Sequence, residues 1–119
     1  MISTTNIEQA KGLIKNSKEK PIVVQAQDDA FNRKILEYGK FDILLSPEAG
    51  QRKDKLKQLD SGLNNILAEI AAKNKISIGL DLEELSKLKK KEKALRIARI
   101  RQNIETCRKA KTKLIAINF

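Results

Sequence analysis

Residues 59–84 read LDSGLNNILAEIAAKNKISIGLDLEE, and they hold one full turn of a helix-then-strand repeat. Leu63, Ile66, Leu67 and Ile70 recur at three- and four-residue spacing, the period of a helix with one buried face. Asp60 or Ser61, just ahead, offers the short oxygen-bearing side chain that caps the free amides of a helix start. Ile76 to Leu80 is then a brief continuous apolar run, as expected of a strand covered on both faces.

The same alternation extends outward in both directions. Upstream, Asn6 to Lys15 places Ile7, Ala10 and Ile14 on one side of a short helix, with Leu13 beside them. Pro21 leads into a strand at Ile22 to Val24. Asp28 and Asp29 cap a helix whose Phe31, Ile35 and Tyr38 share a face, and Gly39 supplies its left-handed stop. Phe41 to Leu45 is a second strand, closed by Ser46, Pro47, Glu48 and Gly50. The polar stretch Gln51 to Gln58 reads as a loop or a helix extension. Downstream, a long basic helix is expected from Leu82 or Lys87 to about residue 111, with Ile97, Ile100, Ile104 and Cys107 as its apolar stripe and Ala94 at one end. Leu114 to Phe119 is a fourth strand.

This order, αβαβαβαβ, predicts a single α/β domain over residues 1–119. Its parallel sheet of about four βα units should have right-handed crossovers and helices packed on it. The functional edge of such a sheet lies at the carboxyl ends of its strands, here Gln25 to Asp29, Ser46 to Asp54 and Asp81 to Glu84. None of these turns carries a glycine fingerprint for nucleotide phosphates.

Composition narrows the chemistry. The chain has no histidine, which removes the commonest general base and the commonest metal ligand together. Asp81, Glu83 and Glu84 form the one tight carboxylate grouping, a weak candidate for Mg²⁺. Cys107, the lone cysteine, sits at helical spacing among apolar residues and reads as a small buried hydrophobe. No apolar run approaches the roughly 20 residues that span a bilayer, and the amino terminus has no hydrophobic signal core, so a cytoplasmic location is expected.

The formal net charge is +10, and the whole excess lies between residues 87 and 113, where twelve Lys/Arg face Glu92 and Glu105. Like charges at helical spacing repel, so such a segment points to a polyanion whose phosphates would neutralise it. With three Phe, one Tyr and no Trp there is little to stack on bases, which favours contact with the backbone of folded RNA or DNA.

The segments LLSPEAGQRKD, LDSGLNNILAEIAAKNKISIGLDLEEL and ARIRQNIETCRKAKTKLIAIN together resemble ribonuclease P protein component 3, most specifically at Asp60-Ser61-Gly62-Leu63-Asn64. That family's Arg-Lys-Asp runs straight into Ser-Gly; here Lys55 to Leu59 intervene, so either Arg52-Lys53-Asp54 or Asp60 takes the family position. Asn65 stands where the family often has His. The resemblance implies half of a TIM-like, phosphoesterase-type barrel, closed by a second copy or a complementary half-barrel. It implies a non-catalytic subunit of the ribonuclease P holoenzyme that assists a catalytic RNA in trimming precursor tRNA. The expected partners are the ribonuclease P RNA, protein component 2 and, indirectly, precursor tRNA. The protein itself would bind no cofactor, and Mg²⁺ would enter through the RNA. An architectural module that docks on a protein or binds RNA non-specifically is the alternative.

For RNA contact the strongest candidates are Arg96 and Arg99, three apart and off the apolar stripe, expected to face outward with Lys89 and Lys93 nearby. Arg52 and Lys53 follow, in the loop that matches the family motif. Arg101 and Arg108, at the edge of the stripe, could serve RNA or a protein contact. Asp60 is expected to cap a helix.

Overall fold

The computed structural model describes residues 1–50, 52–54 and 59–118. In chain order the elements are α1 (Ile7–Asn16), β1 (Val23–Gln25), α2 (Asp29–Tyr38), β2 (Ile43–Leu45), α3 (Asn65–Lys73), β3 (Ser77–Asp81), α4 (Leu82–Lys87), α5 (Lys90–Ala110) and β4 (Leu114–Ile117). Most of the segment expected as a loop or helix extension at 51–58, and Phe119 of the expected fourth strand, fall outside the described residues.

Side-chain caps set most helix starts. Asn6 accepts from the amide of Gln9, Asp28 from Phe31 and Asp81 from Glu84, at 3.0, 2.8 and 3.0 Å. α3 corrects the sequence reading: its cap is Asn64, accepting from Leu67 at 2.9 Å, and Leu63 precedes the helix. Asp60 is drawn away from capping by an arginine, as described below. The expected long basic helix is also two helices, because Leu88 and Lys89 are extended between α4 and α5. Lys87, Lys89, Lys90 and Lys91 offer one another no favourable pair that would carry a helix through this point.

All strand pairs are parallel, and the sheet order β1-β2-β3-β4 follows the chain without reversal. Winding in one direction puts the crossover helices on one face, where α1, α2, α3 and α5 lie side by side. This is the arrangement of one half of a TIM-like barrel. Val24, Leu44 and Ile78, in register across three strands, point into that helical layer and join Ile35, Leu36 and Ala68 in the main core. Val23, Ile43 and Leu45 alternate to the opposite face, where Ile115 and Ile117 pack on them. Gly79 belongs to that face, and a Cβ there would lie 2.8 Å from Ile43 Cγ2. Ile2 adds a parallel bridge to Val24 on the outer side of β1.

α5 revises the expected stripe. Its buried residues are Arg99, Ile100, Asn103 and Cys107, while Ile97 and Ile104 are 41% and 39% exposed. The helix thus turns a mixed polar and apolar face inward, and Ile97 and Ile104 lie on its flank. Cys107 is buried as expected, and burial pushes its thiol up to about 11.

Candidate nucleic-acid interface

Three of the arginines expected at an RNA surface face inward and meet at the carboxyl end of the sheet. Arg52, in the long loop after β2, donates from Nε to the Pro47 carbonyl at 2.7 Å. Its Nη1 reaches Asp29 at 2.8 Å and Asp60 at 3.0 Å, and its Nη2 reaches the Gln27 carbonyl at 3.2 Å. One guanidinium therefore ties the loops after β1 and β2 together.

Arg99 and Arg96 approach the same loops from α5. Arg99 Nη2 donates to the Arg52 carbonyl at 3.1 Å and to Asp54 at 3.3 Å, and Nη1 points at the Glu48 carbonyl at 3.5 Å. Arg96 pairs with Glu84 of α4 at 2.9 Å and with Glu48 at 3.5 Å. The expectation that Arg96 and Arg99 face outward is thus overturned. Arg99 is 4% exposed, and the Arg96 side chain only 12%. The physical reason lies in the loop: buried carbonyls and carboxylates there need donors, and guanidinium supplies several in a fixed fork. Arg52, with 8% of its side chain exposed, is likewise held by the loops rather than presented to solvent.

Glu48 sits at the centre, 1% exposed. Burial pushes its carboxyl up to about 7, against the opposing pull of Arg96, and Glu84 and Arg52 act more weakly in opposite directions. Its Oε1 has no hydrogen-bond partner, nor have the buried Nε atoms of Arg96 and Arg99.

The motif Asp60-Ser61-Gly62-Leu63-Asn64 is a clasp on this knot. Asp60 receives Arg52, and its own amide donates to Asp54 at 2.6 Å, so Arg52, Asp54 and Asp60 all share one site rather than competing for it. Ser61 is buried, and its carbonyl accepts from Asn103 of α5 at 3.0 Å. Gly62 has φ +79, and any Cβ would overlap the Pro47 carbonyl oxygen. Asn64 then starts α3.

Each arginine of the knot meets a carboxylate within the protein, and among the described residues no group of three or more His, Cys, Asp or Glu is placed to hold a metal ion. What it does chemically is hold the loops after β1 and β2, α4 and α5 in one geometry.

The remaining expected contacts are available to solvent. Lys53 and Lys89 are exposed, and Lys93 is half-buried with Nζ 3.5 Å from the Ser86 carbonyl. Arg101 and Arg108 are exposed and flank Ile104 along a groove of about 400 Å³. Sequence reasoning missed Glu48, Gln102 and Asn103, whose partners are remote in the chain. It also passed over Lys20, Lys40 and Lys75, which precede the first three strands as Lys113 precedes the fourth, although their recurrence is visible in the sequence.

No protein-family model matches the chain. Ribonuclease P protein component 3 of Methanococcus maripaludis is 28% identical over 116 residues, covering 96% of this chain and 47% of that protein. The component 3 proteins of Methanococcus vannielii and Methanosarcina mazei are 31% and 32% identical over 94 residues, covering 79% of this chain and 38% and 36% of theirs. Among solved structures, a chain in the cryo-EM structure of archaeal ribonuclease P with mature tRNA aligns with a TM-score of 0.78 and 25% identity, over 99% of this chain and 49% of that one. The chain spans about half the length of the relatives it matches. Shared sequence and shared fold together show it to be a relative of ribonuclease P protein component 3, matched over about half of that protein.

Proposed function

We propose that the chain acts as a protein subunit of ribonuclease P, assisting a catalytic RNA in the endonucleolytic removal of the 5′ leader from precursor tRNA. The observation that carries this reading is the fold match to a chain of archaeal ribonuclease P over 99% of its own length. A net charge of +10 supports it, since cations that screen phosphate repulsion stabilise a folded RNA. In this reading the RNA and its Mg²⁺ perform the hydrolysis in the cytoplasm, and the protein brings no cofactor. Lys53, Lys89, Lys93, Arg101 and Arg108 remain as candidate contacts; Arg52, Arg96 and Arg99 are assigned to the internal knot.

Protein component 2 is the expected protein partner, and a complementary half-barrel or a second copy would complete the sheet. Two observations favour such a partner: among the described residues the outer edge of β4 has no strand beside it, and Ile97 and Ile104 on the flank of α5 are exposed. An architectural module that binds protein alone is the competing reading on the same two observations.

Reconstituted cleavage of precursor tRNA separates them. The cognate ribonuclease P RNA and component 2 are assayed at moderate Mg²⁺ with and without the chain. Faster leader removal with the chain is the expected result; an unchanged rate with folded protein would leave only the architectural reading.

A further inference from the structure

A parallel sheet returns every crossover to its amino end, so the connectors 17–22, 39–42, 74–76 and 111–113 lie together there. They carry Lys18, Lys20, Lys40, Lys75, Lys111 and Lys113 against Glu19 and Asp42. All six lysines are exposed. Both acids are engaged elsewhere: Glu19 meets the amino-terminal ammonium at 3.4 Å, and Asp42 accepts from the Ile22 amide at 2.7 Å. Among the described residues none of the six lysines joins a salt bridge.

A stabilising role alone does not explain this pattern. Cations are favourable beside a helix carboxyl terminus, which covers Lys40, Lys75 and Lys111 next to the last turns of α2, α3 and α5. That effect fades within a turn, and Lys20 and Lys113 stand beyond it, at strand entrances. Lys40, Lys75 and Lys111 also occupy left-handed backbone, with φ of 62°, 59° and 61°, where glycine is the usual residue.

The surface has the shape of a contact. Neighbouring strands are about 4.8 Å apart, so four strand entrances form a row roughly 15 Å long. Two hollows open on it, one of about 410 Å³ lined by Ser17, Lys20, Tyr38 and Lys40, the other of about 300 Å³ lined by Lys75, Ser77, Lys111 and Lys113. None of the exposed large apolar side chains lies in the four connectors; Met1, whose ammonium meets Glu19, is exposed beside them, a single side chain rather than the apolar face that inserts into a bilayer. Tyr38 is the one aromatic at either hollow, and Lys40 Nζ already covers its ring at 5.4 Å, which leaves no platform for stacked bases.

We infer that the amino end of the sheet grips the phosphate backbone of folded RNA, with Lys20, Lys40, Lys75, Lys111 and Lys113 as point-charge contacts. The inference rests on the RNA-binding part of the proposed function and assigns it a surface. Each lysine that neutralises a phosphate adds nearly one unit to the salt dependence of binding.

The test is filter binding of the full chain to a ribonuclease P RNA transcript across a salt series. The variants are Lys40→Gln/Lys75→Gln/Lys113→Gln and, as a charge-matched control at the other end, Lys87→Gln/Lys90→Gln/Lys91→Gln. The amino-end triple should bind at least tenfold more weakly at low salt, flatten the salt slope by about two to three units and still unfold cooperatively. The control should lose less than the amino-end triple. If the unaltered chain binds RNA and the amino-end triple binds equally well, the surface assignment fails while RNA binding stands. If the unaltered chain binds no RNA, both fail. Binding to phosphatidylglycerol vesicles but not to RNA would also overturn the inference.

Discussion

The two ends of the sheet handle charge in opposite ways. At the carboxyl end, Arg52, Arg96 and Arg99 are buried and each meets a carboxylate, so cations and anions cancel within the molecule. At the amino end, six lysines stand in water and the two acids in the same connectors are used elsewhere. The first arrangement costs desolvation and holds loops in place. The second leaves cations free for an outside partner. Charge density alone therefore does not mark a binding surface; what matters is whether the charge is already spent on the protein's own carboxylates and carbonyls.

The largest effects are expected at the knot. Arg99→Ala should lower the free energy of unfolding by about 3 kcal/mol or more, because it leaves the Glu48 and Arg52 carbonyls without that donor and takes from Asp54 one of its two. Urea unfolding measures this, and a loss below 1 kcal/mol would mean that the knot does not hold the loops. Gly62→Ala should be nearly as damaging, at about 2 to 4 kcal/mol, since the Pro47 carbonyl must move to admit the methyl group.

A pH effect comes next. Glu48 ionises at about 7 in the folded chain against an ordinary value of 4.5, so the folded state holds its proton more tightly than the unfolded state does. Its contribution is full below pH 4.5, is lost as pH rises to about 7, and amounts to about 3 kcal/mol at most. Glu48→Gln should remove that fall from a series of unfolding curves. A slope that survives the substitution would assign it to another group.

The smallest effect on stability is expected at the amino end, where replacing Lys40, Lys75 and Lys113 with Gln should lower the free energy of unfolding by no more than about 1 kcal/mol, the share of two lysines beside helix carboxyl ends. A larger drop there would reveal a structural role for these lysines and weaken the contrast between the two ends.

The helices, strands and winding of the sheet were legible in the sequence because their signals are local. Ile22 to Val24, Phe41 to Leu45 and Ile76 to Leu80 are short apolar runs, and Asp28 and Gly39 mark the start and end of α2. The inward face of α5 was not legible. Its apolar spacing favoured Ile97 and Ile104, whereas Arg99 and Asn103 are buried by carbonyls at Glu48, Arg52 and Ser61, more than 40 positions away in the chain. The helix start at Asn64 was misplaced to Asp60 or Ser61 for a related reason, since Arg52 claims the Asp60 carboxylate only once the loops have folded. The amino-end lysines were masked differently. Residues 1–50 are neutral as a block, and the separation of their charges between two ends of a sheet emerges only when every strand points the same way.

Lysine acylation in the presence and absence of a ribonuclease P RNA transcript, read residue by residue by mass spectrometry, tests the contrast most directly. Bound RNA should protect Lys40, Lys75 and Lys113 severalfold while Lys90 and Lys91, exposed at the start of α5, stay reactive. Protection of Lys90 and Lys91 with the amino-end lysines unchanged would contradict the account.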